Sequence, residues 1–364
     1  EYHGVAWYWR TVKIPANPHP GGRYILRFWS IDYAMEVWVN GRLAGSHECA
    51  DTMVEFDVTE AVRPDADNLV AVRVINPSNT AIEGFVIREC PGRNRVDPWG
   101  PGSTYNNGGI VDSVELLLAA PVRVESLYLK PDWKTGVIEA EVNVRNASGK
   151  PVKGSLALSV APAAGGETVD MTMTAADLAT GDTLVKARVQ VRDFQLWDTS
   201  HPVLYRVTAR VSGEGSESID EKSAKCGFRD FRFADGYFRL NGKRIYLKSA
   251  HFGGDSPITS IVPLDPGMVR KDFLSMKLMG FNMARCIAGL GRRFMMDLAD
   301  EIGFLVYDES FAAWCVTPSP RLAARWDQTT AGMIRRDRNH PSVVIWGLLN
   351  ETSNDPVFMH AVDS

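Results

Sequence analysis

The sequence has little of what marks a membrane protein, a disulfide-stabilised protein or a nucleic-acid-binding protein. No apolar run reaches the roughly 18 residues that a membrane span needs, so we expect no membrane insertion. The five cysteines are an odd number, lie far apart and form no CxxC pair, which argues against a disulfide framework and a zinc site. The formal net charge is -4 and no basic stripe occurs, so we expect a small or neutral partner and no nucleic acid.

The chain of 364 residues is long enough for two or three domains, each with its own core. No signal-peptide pattern opens it, but it begins at Glu1 without an initiator methionine. An export signal could therefore have been lost, and the compartment stays open.

Residues 1–120 have the pattern of an all-β domain. Short apolar runs separated by turn-forming residues predict strands at 24–29, 34–39 and 70–75. The pair Asn40-Gly41 predicts a type I′ hairpin. Residues 91–109 are rich in glycine and proline and predict a long surface loop, on which Trp99 or Tyr105 either contacts a ligand or only packs.

Residues 121–227 predict a second β domain. Strands are expected near 122–129, 137–144, 155–160 and 204–211, and the turn signals between them fit a small immunoglobulin-like sandwich. No cluster of titratable residues occurs here, so we interpret this domain as a spacer.

From residue 228 to residue 364, strands alternate with helices. A second Asn-Gly pair, Asn241-Gly242, predicts a hairpin that could close the bottom of a barrel before a first strand at 245–247. Asp265 followed by Pro266 predicts a helix start, Gly303 predicts a helix end, and a third helix is expected over 322–336. With strands at 281–285, 304–307 and 343–349, four β/α units indicate a parallel sheet that is either closed or doubly wound.

The carboxyl ends of these four strands carry polar side chains, which are His251, Arg285, Asp308 with Glu309, and Asn350 with Glu351. In a barrel these ends form the functional face, so we expect the six side chains to converge on one pocket, with Glu351 as a candidate general acid. Each also has a structural explanation. His251 could bind a loop, Arg285 could pair with a neighbouring carboxylate, and Glu351 could lie in the first turn of a helix.

Short motifs follow one another along the whole chain: GVAWYWR at 4–10, VWVNG at 37–41, FDVT at 56–59, GGI at 108–110, LW at 196–197, HPVLY at 201–205, GFR at 227–229, LNG at 240–242, MK at 276–277, GFN at 280–282, DEIG at 300–303, RDRNHPS at 336–342, Trp346, and Asn350-Glu351. In this order and spacing they resemble the family-two glycoside hydrolases, which include β-galactosidases, β-glucuronidases and β-mannosidases. The resemblance implies a jelly-roll sugar-binding domain, an immunoglobulin-like β-sandwich and the first half of a (β/α)8 TIM barrel.

The resemblance also implies hydrolysis of a terminal β-glycosidic bond with retention of configuration, by two carboxyl groups. Glu351 matches the family's acid/base, and Asn350 matches the amide that binds the sugar 2-hydroxyl. Arg285 matches an arginine near the nucleophile, and His251 is expected to help hold the sugar. Asp308 and Glu309 match a supporting position, and the chemistry requires no metal or organic cofactor.

The nucleophile of the family lies on a late barrel strand, whereas this chain stops at Ser364, just after the fourth strand. We therefore expect a fragment of a longer enzyme, with the nucleophile beyond residue 364. Glu309 is not expected to replace it, because the resemblance gives Glu309 a supporting role.

Several departures from the family pattern leave the sugar open. Ala288 stands where galactosidases and glucuronidases have a histidine, and the runs at 248–254 and 308–311 also differ. Residues 282–289 are closer to the mannosidase and glucosaminidase branch. The rival function is a carbohydrate-binding protein without catalysis, and a purely structural adhesin is disfavoured by the polar strand ends. The expected partner is an oligosaccharide or glycoside, and a homo-oligomer stays open.

Overall fold

The computed structural model describes residues 2–92, 108–213, 218–252, 265–287, 289–310, 316–351 and 356–363, and these form two β-sandwich domains followed by part of a TIM barrel. Their helices and strands follow the three regions that the sequence predicts. The expected surface loop at 91–109, with Trp99 and Tyr105, lies almost wholly outside the described residues.

The first domain is a β-sandwich with strands β1 (Gly4–Ile14), β2 (Arg23–Phe28), β3 (Ile31–Asp32), β4 (Ala34–Val39), β5 (Arg42–Glu48), β6 (Val54–Asp57), β7 (Ala66–Asn76), β8 (Gly109–Ile110) and β9 (Val114–Ala119), and a 3-10 helix at Ile87–Glu89. One sheet has the order β1-β7-β4-β5 and the other has the order β6-β2-β9. The predicted hairpin is confirmed, since Asn40 and Gly41 have φ of 52° and 81°, as a type I′ turn requires.

The second domain is a sandwich of seven strands, β10 (Val122–Pro131), β11 (Val137–Asn146), β12 (Val152–Pro162), β13 (Asp170–Leu178), β14 (Gly181–Gln190), β15 (Tyr205–Gly213) and β16 (Ser218–Cys226). Its sheets have the orders β10-β11-β14 and β13-β12-β15-β16. The four predicted strands are present, and three more were missed. Exposed residues alternate with buried ones along β13 and β14. The hydrophobic content of both strands is therefore low.

The third domain begins with the hairpin sheet β17 (Phe231–Ala234), β18 (Tyr237–Leu240) and β19 (Lys243–Arg244) and continues with the β/α elements β20 (Ser249–Phe252), α1 (Pro266–Leu278), β21 (Met283–Cys286), α2 (Arg293–Ile302), β22 (Leu305–Glu309), α3 (Leu322–Asp337), β23 (Val343–Gly347) and α4 (Pro356–Asp363). The four later strands form one parallel sheet in chain order. The Asp265 cap on α1 and the Gly303 stop of α2 are both confirmed. The predicted first strand at 245–247 is wrong by four residues, because β20 starts at Ser249, whereas Ile245 bonds back to Phe238 of the hairpin and Leu247 is only partly buried against the core.

The parallel sheet separates two apolar layers. Ala284 and Val306 on its outer face pack against the helices, including Phe273 of α1. Its inner face packs on the preceding hairpin and on Trp197 of the second domain, and includes Met283 and Leu305. Adjacent strand residues therefore face different surroundings, which decides where each polar side chain of the site points.

The first domain also contacts the barrel part directly, through α3. Arg325 donates to the carbonyl oxygen of Glu89 at 2.7 Å and pairs with Glu48 at 3.2 Å, and Cys49 contacts Thr329 at 2.9 Å. None of the helices in the described part of the chain is both long and apolar enough to cross a membrane.

Candidate active site

Three of the predicted site residues meet at the carboxyl ends of the parallel strands. Arg285, on β21, donates from Nε to Oε1 of Glu309 on β22 at 2.5 Å. The same guanidinium donates from Nη2 to Oδ1 of Asn350 at 2.7 Å. Glu309 is fully buried and Asn350 nearly so, whereas about a quarter of the Arg285 side chain (26%) is exposed. One guanidinium thus orders a carboxylate and an amide from the two neighbouring strand ends.

Tyr307 and Gly347 complete this arrangement, and the sequence interpretation missed both. Tyr307 lies two residues before Glu309, so both side chains point to the inner face, and its ring lies 5.1 Å below the Arg285 guanidinium. Burial and the negative charge of Glu309 raise the pKa of the Tyr307 hydroxyl. A Cβ at Gly347 would lie 2.1 Å from Cγ of Glu309, so only glycine lets the buried glutamate pass β23. Glycine within a strand is the signal that could have found this close approach.

Glu351, the predicted acid/base, follows Asn350 with a left-handed backbone, at a φ of 52°. Its side chain is exposed and makes no hydrogen bond or ion pair with the described residues. His251 is exposed on β20, opposite Arg285 in the parallel register. Both residues thus lie at the same end of the sheet as Arg285, and neither is held by the Arg285 network.

Asp308 lies in a different place from the other predicted site residues. Because it neighbours Glu309 along β22, it points to the outer face. There its Oδ1 accepts from the amide of Gly291 at 2.9 Å, and its Oδ2 lies 3.8 Å from Arg336. Burial, and the nearby charge of Asp337, raise the pKa of Asp308 well above the usual range. The expected convergence of all six polar residues on one pocket therefore does not extend to Asp308.

Arg336 and Asp337, at the end of α3, support the site from the outer face of the sheet, where Asp308 lies. They form an ion pair at 2.5 Å, and Arg336 also donates to the carbonyl oxygen of Gly291 at 2.7 Å. Gly291 is thus bound at both its amide and its carbonyl, by Asp308 and Arg336. This fixes the segment that connects β21, which carries Arg285, to α2.

The rest of the 336–342 motif joins the barrel part to the second domain. Asn339 accepts from the amide of Leu129 at 2.9 Å and donates to the carbonyl oxygen of Leu127 at 2.8 Å, so it pairs with β10 as a neighbouring strand would. Arg229 donates to the carbonyl oxygens of Pro341 and Val343, both at 2.8 Å. The motif therefore fixes the position of β23 relative to the β-sandwich.

His340 forms an ion pair in the same motif. Its Nδ1 lies 2.6 Å from Oδ2 of Asp300, whose other oxygen accepts from the amide of Ser342 at 3.0 Å. Burial disfavours the imidazolium, but the Asp300 carboxylate outweighs this and raises the pKa of His340 to about 9. The carbonyl oxygen of Asp300 accepts from Nε1 of Trp197 at 2.9 Å, so the pair connects α2, β23 and the second domain.

No group of three or more His, Cys, Asp or Glu side chains suited to a metal occurs among the described residues. The cysteines at 49, 90, 226 and 286 are all buried.

Comparison with known proteins assigns each region to the same family. Models of glycosyl hydrolases family 2 match residues 1–121 as the sugar binding domain, 122–229 as the central domain and 231–362 as the TIM barrel domain. The β-galactosidase of Enterobacter cloacae is 26% identical over 94% of this chain and 35% of its own length. That of Aeromonas hydrophila is 27% identical over 96% of this chain and 33% of its own length. The chain thus spans about a third of these curated relatives.

Solved structures agree with this assignment. A glycosyl hydrolase family 2 member from Bacteroides cellulosilyticus has a TM-score of 0.80 and 25% identity over 97% of this chain and 46% of that one. The β-glucuronidase of Parabacteroides merdae has a TM-score of 0.77 and 25% identity over 96% of this chain and 43% of that one. With successive family models covering residues 1–229 and 231–362, this chain belongs to glycosyl hydrolases family 2.

Proposed function

We propose that this chain supplies the acid/base side of the active site of a retaining exo-β-glycosidase that acts on terminal β-linked sugars. The observation that carries the proposal is the bridge that Arg285 makes from Glu309 to Asn350 at the carboxyl ends of the parallel strands. In a TIM barrel, catalytic groups are placed at this face.

In the proposed mechanism, Glu351 donates its proton to the glycosidic oxygen while a carboxylate attacks the anomeric carbon and the leaving group departs. Glu351, now ionised, takes a proton from a water molecule, which then attacks the anomeric carbon and releases the enzyme carboxylate. The exposed position of Glu351 leaves it accessible to both the leaving group and water.

Asn350 is proposed to bind the sugar 2-hydroxyl. Its Oδ1 already accepts from Arg285, so the amide is held in one orientation and its Nδ2 remains as the donor for the substrate. His251, opposite Arg285 in the register, is proposed to bind another part of the sugar. These residues hold and orient the ring and take no part in bond cleavage.

Glu309 is proposed to support Arg285 and not to act as the nucleophile. Its side chain is fully buried and bound to the Arg285 guanidinium, so it is not presented to a substrate. We assign the nucleophile to a part of the enzyme beyond residue 364. Asp308, on the outer face, is proposed to order the segment around Gly291 and not to touch the sugar.

The sugar is proposed to be β-galactose-like, since the curated relatives described above are β-galactosidases at 26% and 27% identity. A β-mannosidase-like or β-glucosaminidase-like specificity is the alternative that Ala288 and residues 282–289 leave open. Non-catalytic carbohydrate binding is the alternative from another class.

The test is to assay the full-length gene product on a panel of aryl β-glycosides and to follow the first-formed anomer by proton NMR. Release of the β-anomer from a β-galactoside supports the proposal. Release of the α-anomer would rule out retention, and binding of glycosides without turnover would favour the carbohydrate-binding alternative.

A further inference from the structure

Tyr307 lies in the layer of the barrel interior directly beneath the Glu309 carboxylate. In the parallel register Tyr307 is the partner of Arg285, which is in turn the partner of His251 on β20. Paired residues of a parallel sheet point to the same face, so these three side chains share one level of the inner face. Two residues further along β22, Glu309 is the partner of Gly347 and forms the next level.

The ring of Tyr307 is held from both neighbouring strands. Its centre lies 5.1 Å from the guanidinium carbon of Arg285 on β21. On the other side, a Cβ at Gly347 of β23 would lie 2.4 Å from Cε2 of the ring. These contacts need only an aromatic ring, and phenylalanine would make them equally well.

The hydroxyl of Tyr307 has a task that packing does not explain. It hydrogen-bonds to the Glu309 carboxylate. Burial and the negative charge of Glu309 raise the pKa of the hydroxyl against the opposing effect of Arg285, and the hydrogen bond raises it further. The hydroxyl is therefore a neutral donor at neutral pH. Glu309 is fully buried, so each donor to its carboxylate restricts its orientation.

A short series of contacts leads from this carboxylate to Asn350. Nη2 of Arg285 contacts Oε1 of Glu309 and also donates to Oδ1 of Asn350 at 2.7 Å. A rotation of the carboxylate would therefore move the same nitrogen that orients the Asn350 amide. This amide is the group proposed above to bind the sugar 2-hydroxyl.

Tyr307 also borders an apolar cluster that includes Met283, Leu305 and Ile345. A hydroxyl at the edge of such a cluster is costly unless it is hydrogen-bonded, and phenylalanine would avoid that cost. We propose that Tyr307 is a positioning residue whose hydroxyl fixes the Glu309 carboxylate. Through Arg285 it thereby keeps the Asn350 amide directed at the sugar 2-hydroxyl. This inference rests on the proposed function.

The test is Tyr307→Phe in the full-length gene product, assayed on the best aryl β-glycoside of the panel and on its 2-deoxy counterpart. The variant keeps the ring and removes only the hydroxyl. Contacts to the 2-hydroxyl strengthen in the transition state, so the loss should fall on kcat, with KM little changed. We expect kcat to fall about tenfold on the glycoside, as loss of a hydrogen bond to a charged group does. On the 2-deoxy counterpart kcat should change little.

Two further variants serve as controls. Tyr24→Phe removes another buried hydroxyl, which donates to the carbonyl oxygen of Pro15 at 3.0 Å in the first domain, and should leave both activities as in wild type. Asn350→Ala should lose kcat only on the substrate that has a 2-hydroxyl. Adding Tyr307→Phe to Asn350→Ala should lower kcat little further, because both substitutions act through one contact. Thermal unfolding of each variant separates a folded enzyme with lower kcat from a destabilised one.

An equal loss of kcat on the glycoside and its 2-deoxy counterpart in folded Tyr307→Phe, or no loss on either, would overturn the inference. If Asn350→Ala depends on the 2-hydroxyl and Tyr307→Phe does not, the inference fails and the proposed function stands. If Asn350→Ala loses kcat equally on both substrates, the role proposed for Asn350 fails, and the inference fails with it.

Discussion

Arg285 and Glu309 form a buried, charge-assisted hydrogen bond across neighbouring parallel strands, with Nε of the arginine 2.5 Å from Oε1 of the glutamate. Because the second arm of the same guanidinium reaches Asn350, the pair couples the third strand end to the fourth. The geometry requires a planar fork, which lysine cannot supply.

Replacing Arg285 by lysine should therefore keep the charge but lose the bridge. We expect kcat/KM of the full-length enzyme to fall about 100-fold, since small misplacements of positioned groups cost about that much. The thermal midpoint should change little, because Glu309 keeps a cation beside it. Arg188→Lys is the matched control, and equal kcat/KM in both variants would show that the bridge does not position the site.

Gly347→Ala tests the close approach on the inner face. Its Cβ would lie 2.1 Å from Cγ of Glu309 and 2.4 Å from Cε2 of Tyr307, so the buried glutamate must move. We expect a loss of about 2 kcal/mol in the free energy of unfolding, as is usual for overpacking, together with lower activity. Chemical denaturation measures the first effect.

Gly267→Ala is the control for that substitution. Its Cβ meets only the side chain of Asp265, at 3.1 Å or more, and alanine favours a helix. An unchanged stability in Gly347→Ala would mean that Glu309 does not pack against the strand backbone.

The pair of His340 and Asp300 predicts a pH dependence of stability. The pKa of His340 is about 9 in the folded protein and about 6.5 in an unfolded chain, so folding favours the protonated form. Its contribution, on the order of 3 kcal/mol, is complete below pH 6.5 and is lost as the pH rises through 9. His340→Gln retains every nearby carboxylate and removes the titration. The stability difference between wild type and this variant should shrink between pH 6.5 and 9, and a constant difference would contradict the assignment.

The sequence predicted the parallel sheet and the residues at its ends because β/α alternation and helix caps are local signals. Asn40-Gly41, Asp265 and Gly303 each act within a few residues, and each was placed correctly. The strand at 245–247 was misplaced because Ile245 and Leu247 pack against the core from a segment that belongs to no strand.

The grouping of the site was only partly predictable. Arg285, Glu309 and Asn350 lie on adjacent strands and meet as their order suggests. Asp308 was grouped with them although the alternation of strand side chains already separates it from Glu309. Asn339 and His340 join domains through contacts with residues that are distant in the chain. The partner of Asn339 is more than 200 residues away and that of His340 about 40, so no local sequence pattern reveals these contacts.

The most direct test of the acid/base role is Glu351→Gln in the full-length enzyme, assayed on glycosides with graded leaving groups. A substrate whose leaving group departs without protonation should lose less than about tenfold in kcat/KM, whereas alkyl or sugar leaving groups should lose about 100-fold to 10,000-fold. An equal effect on all substrates, or none on the poorest leaving groups, would contradict the assignment of Glu351.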